Sequence, residues 1–470
     1  MSRTFQVKTI PSRWLDENGR RLDCGPYMSG AIEARELIKH LHTERLDSLT
    51  AGHKGGIYNG SPFIRNYVND PDHGVPFLTT SSMLQADLTN ISFLSKKDAT
   101  SNKLSFLEVK EKMTLITCSG SIGRMAYARK DMEGSWSNQD ILKVVADEEK
   151  IKPCYLYAYL GSCFGIPLVI SGTYGAIIQH IEPEHISSLP VPRLGEIEDQ
   201  VHELVQKAAE SHVKSVQLRR EAAELLNDIC GFPQKMAPMA RNFAFSSASS
   251  SDVFKRLDAT FHNPIAQKAE QLTADADGIS LYDAGITGFE SNRMKQVFVE
   301  PGFGTPFITS GGIFSKTIEP ERYLRNQLLG DESSWRINQY DSLIARSGQV
   351  GGIIGRGVWA DSRLDGFAAS PHILRIRSEV EDFPPGYLYT FLCLTDVGYQ
   401  LLARTAAGSS IPFLPLDEVL KIKIPQRPTI EQRIEIDSKI KESGELRKEA
   451  QQFEKDAVLL VENAIKEGGR

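Results

Sequence analysis

Hydrophobic positions along this chain follow two different periods. From Glu196 to about Asp228 there is no glycine or proline, and apolar residues fall at Ile197, Val201, Leu204 and Ala208, then at Leu218, Ala222, Leu225 and Ile229. From Thr429 the pattern returns with Ile430 and Ile434, then Leu446, Ala450, Phe453, Ala457, Leu460 and Ala464. Steps of three and four are the a/d seam of a coiled coil, so two long helices are predicted. Thr429, placed after Pro428 and before Ile-Glu-Gln, reads as a helix cap, and Gly231-Phe-Pro ends the first helix. A helix of about 33 residues is on the order of 50 Å long. Each helix could pack on its own neighbouring block. Two seams of similar length favour pairing with each other, and the block between them lets that pair run antiparallel.

The rest of the chain has a shorter rhythm. Runs such as PFLTT, TLITCSG, DILKVVA, SLIARSG and HILRIRS are separated by Gly, Asn, Asp and Pro and predict short strands. One helical stretch in each block, YLYAYLGSCFG and GYLYTFLCLTDVGYQLL, precedes a closing strand. Residues 231–254, rich in Pro, Ala and Ser, read as a linker.

These segments occur twice, in one order. Arg21-Leu22-Asp23 returns as Arg256-Leu257-Asp258, and GVPFLTTSSM (74–83) returns as GTPFITSGGI (304–313). LITCSGSIG (115–123) pairs with LIARSGQVG (343–351), and KPCYLYAYL (152–160) with PPGYLYTFL (384–392). GAIIQHIEPEHISSLPVP (175–192) pairs with GSSIPFLPLDEVLKIKIP (408–425). The offsets are 235, 230, 228, 232 and 233. Chance does not hold order and offset over five segments, so the chain is a duplication far longer than a solenoid repeat. The predicted fold class is α+β. Two mixed α/β globular domains, 1–194 and 255–428, are joined by long helices at 195–232 and 429–470, with a linker at 233–254, and the helices form an antiparallel coiled coil with pseudo-twofold duplication.

Length and composition agree. The 470 residues exceed one ordinary core, and 41% hydrophobic with 24% charged residues is ordinary for a globular protein. No run of about 18 apolar residues occurs and the N-terminus has no signal-peptide core, so a cytoplasmic protein without membrane contact is expected. Cys24, Cys118, Cys154, Cys163, Cys230 and Cys393 form no CxxC pair and read as reduced thiols; no metal site is expected. Residues 195–233 hold eight acidic and four basic residues, and residues 429–470 hold ten and eight. Those balances, −4 and −2, account for the whole net charge of −6. The two blocks together are neutral, which leaves room for a basic face and excludes nothing.

Enzyme signatures are weak. Pro71-Asp72 with Glu108-Val-Lys110 imitates a magnesium nuclease pattern, but the spacing is long and the second half has no counterpart. A phosphate loop and an Asn-Pro-Pro-Tyr/Phe segment are both missing, and Gly285 with Gly288 is a faint glycine loop. His180 and His185 meet Phe413 and Glu418 in the other half, which argues against a metal. No catalytic residue is assigned.

Taken in order, the duplicated motifs and the helix after each block resemble the specificity subunit of type I restriction–modification systems. The likeness spans nearly the whole chain. It implies two target recognition domains, each reading one half of a bipartite site on double-stranded DNA, with the coiled coil fixing the gap; the unlike stretches Tyr27-Met-Ser-Gly-Ala and Phe261-His-Asn-Pro make an asymmetric target the expectation. It also implies two modification (adenine-methyltransferase) subunits as partners and, in the full complex, ATP-dependent restriction subunits. S-adenosylmethionine, ATP and magnesium would belong to those partners, with no cofactor in this chain. Alternatives are a DNA-binding regulator on the same scaffold and a stand-alone DNA-modifying enzyme.

Polar and basic residues in glycine-bounded loops are the candidate DNA contacts. In the first half they are Lys54, Thr79, Thr80, Ser81, Ser119, Ser121, Arg124, Tyr174 and Gln179. In the second they are Arg293, Lys295, Thr309, Ser310, Arg346, Ser347, Gln349 and Arg356. Arg pairs with guanine O6 and N7 and Gln with adenine N6 and N7, while Ser, Thr and Lys more often hold phosphate. The competing reading makes the Ser-Gly loops plain tight turns and Arg346 a surface charge.

Overall fold

The computed structural model describes residues 7–17, 20, 22, 24–172, 180–236, 245–291, 295–326, 329, 331 and 334–468. The chain divides into two compact units, Met1–Val213 with Glu449–Arg470, and Lys214–Lys448. Among the described residues ten strands lie in each, and the second set repeats the first.

The first unit holds β1 (Thr43–Arg45), β2 (Ile57–Tyr58), β3 (Tyr67–Val68), β4 (Gly74–Leu78), β5 (Phe93–Ser95), β6 (Thr114–Thr117), β7 (Met125–Tyr127), β8 (Trp136–Ser137), β9 (Ile141–Val144) and β10 (Pro190–Pro192). The second holds β11 (Ile279–Ser280), β12 (Thr287–Glu290), β13 (Phe298–Val299), β14 (Thr305–Ile308), β15 (Arg322–Leu324), β16 (Ser342–Ala345), β17 (Gly357–Trp359), β18 (Ala368–Ala369), β19 (Ile373–Arg377) and β20 (Lys423–Ile424). Strands β2-β9-β6-β7 and β12-β19-β16-β17 form matching antiparallel sheets. A second pair, β3-β5-β4-β8 and β13-β15-β14-β18, shares one parallel junction, Phe77 opposite Trp136 and Phe307 opposite Ala368. Short ribbons β1-β10 and β11-β20 complete the set. Adding ten to a strand number gives its counterpart, so the duplication read from five segments extends through the topology.

Local chemistry explains the elements. TLIT in β6 and SLIA in β16 are buried on both faces, as suits central strands covered on each side. The helix Pro153–Leu160 starts on proline, whose missing N–H is no loss there, and all eight of its residues are buried. Its Tyr155 hydroxyl donates to Pro192 O at 2.5 Å, and Tyr387 of the matching helix donates to Pro425 O at 2.7 Å. The tyrosines thus tie each helix to its closing Val/Ile-Pro strand.

An ion pair is inverted between the copies. Arg129 holds Asp131 through two bonds of 2.9 and 3.0 Å, and Arg363 holds Asp361 through bonds of 2.9 and 2.8 Å. The registers of β7 and β17 place Arg129 where Asp361 stands. Acid and base stand in exchanged positions, and each unit keeps one ion pair there.

Two long helices, Glu196–Cys230 and Ile430–Gly468, carry heptad seams. On the first, Val201, Val205, Ala208, His212, Ser215, Arg219, Ala222 and Leu226 are buried, at steps of four and three. The second buries Arg433, Ile436, Ile440, Ser443, Arg447, Ala450, Ala457, Val461 and Ile465. In the first unit Val201 and Val205 share a core with Ala457, Val461 and Ile465. In the second, Ala222 and Leu226 pack with Ile436 and Ile440, Ser215 donates to Ser443 O (2.8 Å), and Lys439 pairs with Glu221 (2.9 Å). Partner numbers fall as the chain rises, which is antiparallel pairing. One expectation is corrected: Ile430 and Ile434 are exposed and lie off the seam. The first turns of that helix bury Arg433, which donates to Asp382 O and Gln426 O, and Asp437, which accepts from Gly386 N–H. A search for apolar spacing alone cannot see a seam whose first contacts are polar.

Candidate nucleic-acid interface

Strand ends gather the candidate loops. In the first unit Asn138 N–H donates to Leu78 O at the end of β4, and Asp140 O accepts from Cys118 N–H at the end of β6, both at 2.9 Å. In the second, Ser370 N–H donates to Ile308 O (3.1 Å) and His372 O accepts from Arg346 N–H (2.8 Å). Three residues of connector therefore bring the loop after β4 beside the loop after β6, and likewise after β14 and β16.

The threonines after Pro-Phe close turns. Thr79 Oγ1 accepts from Ser82 N–H (3.1 Å), and Thr309 Oγ1 accepts from Gly312 N–H (3.2 Å). Thr79 Oγ1 also meets Ser81 Oγ (3.1 Å), and Thr309 Oγ1 donates to Glu321 (2.7 Å). Both hydroxyls are engaged in the same local motif. Thr80 and Ser310 beside them are half-exposed, and Ser81 is exposed.

The Ser-Gly loops differ in length. Residues 118–124 join β6 to β7, while 346–356 join β16 to β17, four residues more. Thr117 N–H donates to Arg124 O (2.9 Å) and Ala345 N–H donates to Arg356 O (2.8 Å), so Arg124 and Arg356 occupy one position. Arg124 is exposed, whereas the Arg356 guanidinium lies 3.6 Å from the Tyr399 ring centre. Ser119 bridges to His180 and Ser347 to Phe413. Ser121 O accepts from Thr117 Oγ1 (2.6 Å), and Gln349 is exposed.

Arg346 sits at the centre of the second cluster. Its Nη2 lies 2.6 Å from Glu290 Oε2, its Nε donates to Leu414 O (3.3 Å), and its guanidinium is 5.3 Å from the Phe413 ring centre. His372 Nδ1 lies 3.1 Å from Ser347 Oγ. Matched strand positions place Asn59, Cys118, Asp140 and His180 of the first unit where Glu290, Arg346, His372 and Phe413 stand. There Asn59 donates to Glu182 (3.2 Å), Arg65 to Gln139 (3.0 Å), and Gln139 to Asp140 (3.1 Å). Glu290, His372, Asn59 and Asp140 were not among the sequence candidates, because none lies in a repeated motif.

Other candidates stand apart. Exposed Lys54 occupies a turn at φ +47°, beside Val145 at the far end of β9 from the cluster. Exposed Lys295 leads into β13, at the opposite end of its sheet from Thr309. Tyr174, Gln179 and Arg293 lie outside the described residues.

Each unit buries a cation at a matched position of its sheet. Lys143 in β9 and Arg375 in β19 occupy matched positions, fully buried, each 5.5 Å from an aromatic ring, Tyr58 and Phe289. Burial pulls the Lys143 ammonium down to about 7 and the Arg375 guanidinium to about 10. An unfolded lysine titrates near ~10.4. Between these values the unfolded chain holds a proton that the folded one lacks, so stability rises with pH from about 7 to about 10 and is flat below. Lys143→Met is expected to flatten that rise, read by denaturant unfolding across the window; an unchanged slope would remove Lys143 as its source.

Among the described residues, no cluster of His, Cys, Asp and Glu is arranged to hold a metal, and no single helix is long and apolar enough to cross a membrane. No protein-family model and no curated protein matches the chain. Among solved structures it is similar to the S subunit of a type I restriction–modification system from M. genitalium, at 12% identity and TM-score 0.34, covering 91% of this chain and 95% of that one. The HsdS subunit from Thermoanaerobacter tengcongensis matches at 14% identity and TM-score 0.27, over 92% and 97% of the two chains. A chain from a type I R-M assembly structure matches at 13% and 0.27, over 91% and 97%.

Proposed function

We propose that this chain is a non-catalytic DNA-recognition subunit of a type I restriction–modification complex. Each unit reads one half of a divided, asymmetric site on double-stranded DNA, and the helix pair sets the gap. The observation that carries this reading is one scaffold built twice, with unlike side chains at matched loop positions. Asn59, Cys118, Asp140 and His180 against Glu290, Arg346, His372 and Phe413 would recognise different bases. A divided address needs two readers and a spacer, because half-sites share a face of the duplex only at particular separations. Order and spacing of the repeated sequence motifs support the family assignment. Methyl transfer from S-adenosylmethionine, ATP hydrolysis and magnesium binding fall to two methyltransferase subunits and to restriction subunits in the cytoplasm.

The test is selection from random duplexes by the chain purified with its methyltransferase partner. Two short, different motifs at one fixed gap are expected. A single continuous motif, or turnover of S-adenosylmethionine by the isolated chain, would overturn the reading.

A further inference from the structure

Among the buried and exposed polar groups of the second unit, Arg346 is held in a way that a surface charge does not need. Its backbone is fixed on both sides: N–H donates to His372 O (2.8 Å) and its carbonyl accepts from Leu414 N–H (2.9 Å). The side chain is 21% exposed. Buried Glu290 Oε2 forms an ion pair with Nη2 (2.6 Å) without hydrogen-bond geometry, Leu414 O takes Nε, and the Phe413 ring centre lies 5.3 Å from the guanidinium. Nη1 is left to meet a ligand, together with the remaining edge of the fork. A guanidinium already fixed in orientation loses little freedom when it binds, and its fork matches the two acceptors on the major-groove edge of guanine.

The surroundings suit a base edge better than a phosphate. Glu290 neutralises much of the charge that would draw a phosphate, so orientation and not net charge is what the site offers. Exposed apolar residues lie on the neighbouring segments: Ile411 is 70% exposed, and Val350 and Ile353 are exposed on the longer loop. Gly348 N–H donates to Pro412 O (3.1 Å), which joins that loop to the segment bearing Ile411 and Phe413. Such a rim can meet thymine methyls next to the arginine.

Among the described residues the first unit has no equivalent. Cys118 fills the matched position, buried, with Sγ 3.8 Å from Gln139 O. Burial pushes its thiol up to about 11, leaving a weak neutral donor turned inward.

We infer that Arg346 reads one guanine in the half-site of the second unit, with Glu290 and Phe413 as its positioning residues, and that no guanine is read from the matched position in the first. This rests on the DNA-recognition reading above. The experiment repeats the duplex selection with the full complex carrying Arg346→Ala, Arg346→Lys or Glu290→Gln. Wild type is expected to select guanine at one position that Arg346→Ala no longer constrains, with discrimination there falling about 5- to 150-fold, the range of one bidentate pair. The other half-site keeps its motif, which doubles as the check that the variant folds. Arg346→Lys loses the same position because an ammonium has no fork, and Glu290→Gln relaxes it partly while Arg346 remains. An unaltered motif in Arg346→Ala, or full rescue by lysine, overturns the inference and leaves the two-motif reading standing. Absence of two motifs in wild type fails that reading instead.

Discussion

Alanine at Gly398 is expected to destabilise the second unit by about 3 kcal/mol or more, at the upper end of overpacking effects. A Cβ there would stand 1.9 Å from Phe391 O, 2.8 Å from Phe391 C and 3.0 Å from Leu392 Cα. All three are backbone atoms, so no rotamer change relieves the clash. The reason lies in how two helices meet: Thr395 Oγ1 caps the helix Asp396–Arg404 by accepting from Gly398 N–H (3.0 Å), and that cap seats the first turn on the helix before it. The first unit repeats the device. Ser162 Oγ accepts from Gly165 N–H (3.1 Å), and a Cβ on Gly165 would stand 2.2 Å from Tyr159 O. For a unit of this size the loss is about 6–12 °C in thermal midpoint. Thermal unfolding of each variant reads it, with Gly311→Ala as control because its Cβ would meet nothing within 4 Å. A midpoint equal to wild type for Gly398→Ala would mean that the helix junction yields, and the close packing would lose its significance.

The duplication was legible because it lives in motifs that shape the backbone. Gly-x-Pro-Phe sets a strand and its turn, Tyr155 and Tyr387 tie helix to closing strand, and Ser-Gly marks a loop; each survives in both copies for a local reason. What the motifs could not show is equivalence through side chains that changed. Arg124 and Arg356 share a position at an offset of 232, whereas the Ser-Gly motif beside them keeps 228, because the second loop is four residues longer. Arg129-x-Asp131 against Asp361-x-Arg363 fails every identity match, although one buried ion pair explains both. Lys143 and Arg375 sit inside apolar strands, where a lone cation reads as an interruption instead of a fixed element. Among the candidate contacts, Thr79 and Thr309 were found because they repeat, and they repeat because both cap a turn. Residues that discriminate between two targets should differ between copies, so a search for recurrence selects against them. Glu290 and His372 escaped for that reason.

The polar middle of the seam leads to the largest expected effect on binding. On the function proposed above, two linked readers would bind a divided site about 10²–10⁴ times more tightly than either alone, provided both can engage at once. The seam changes units between Val213 and Lys214 on one helix and between Lys448 and Glu449 on the other. Residues inserted at both points leave the helix pairing inside each unit intact. An α-helix advances about 1.5 Å and turns about 100° per residue, and B-DNA advances about 3.4 Å and turns about 34° per base pair. Two residues in each helix would put the seams on either side of the insertion about 200° out of phase for about 3 Å of extra length, which no small change of gap can match. Four residues give about 40° and 6 Å, close to the twist and length of one to two added base pairs. The two-residue variant is therefore expected to lose about 10²–10⁴ in affinity for the native site while each half-site still binds weakly. The four-residue variant is expected to bind again when the gap is lengthened by one or two base pairs. Titration of duplexes with graded gaps measures both. If all three proteins preferred the same gap, the helices would not be the ruler, and the gap would have to be set by the partner subunits.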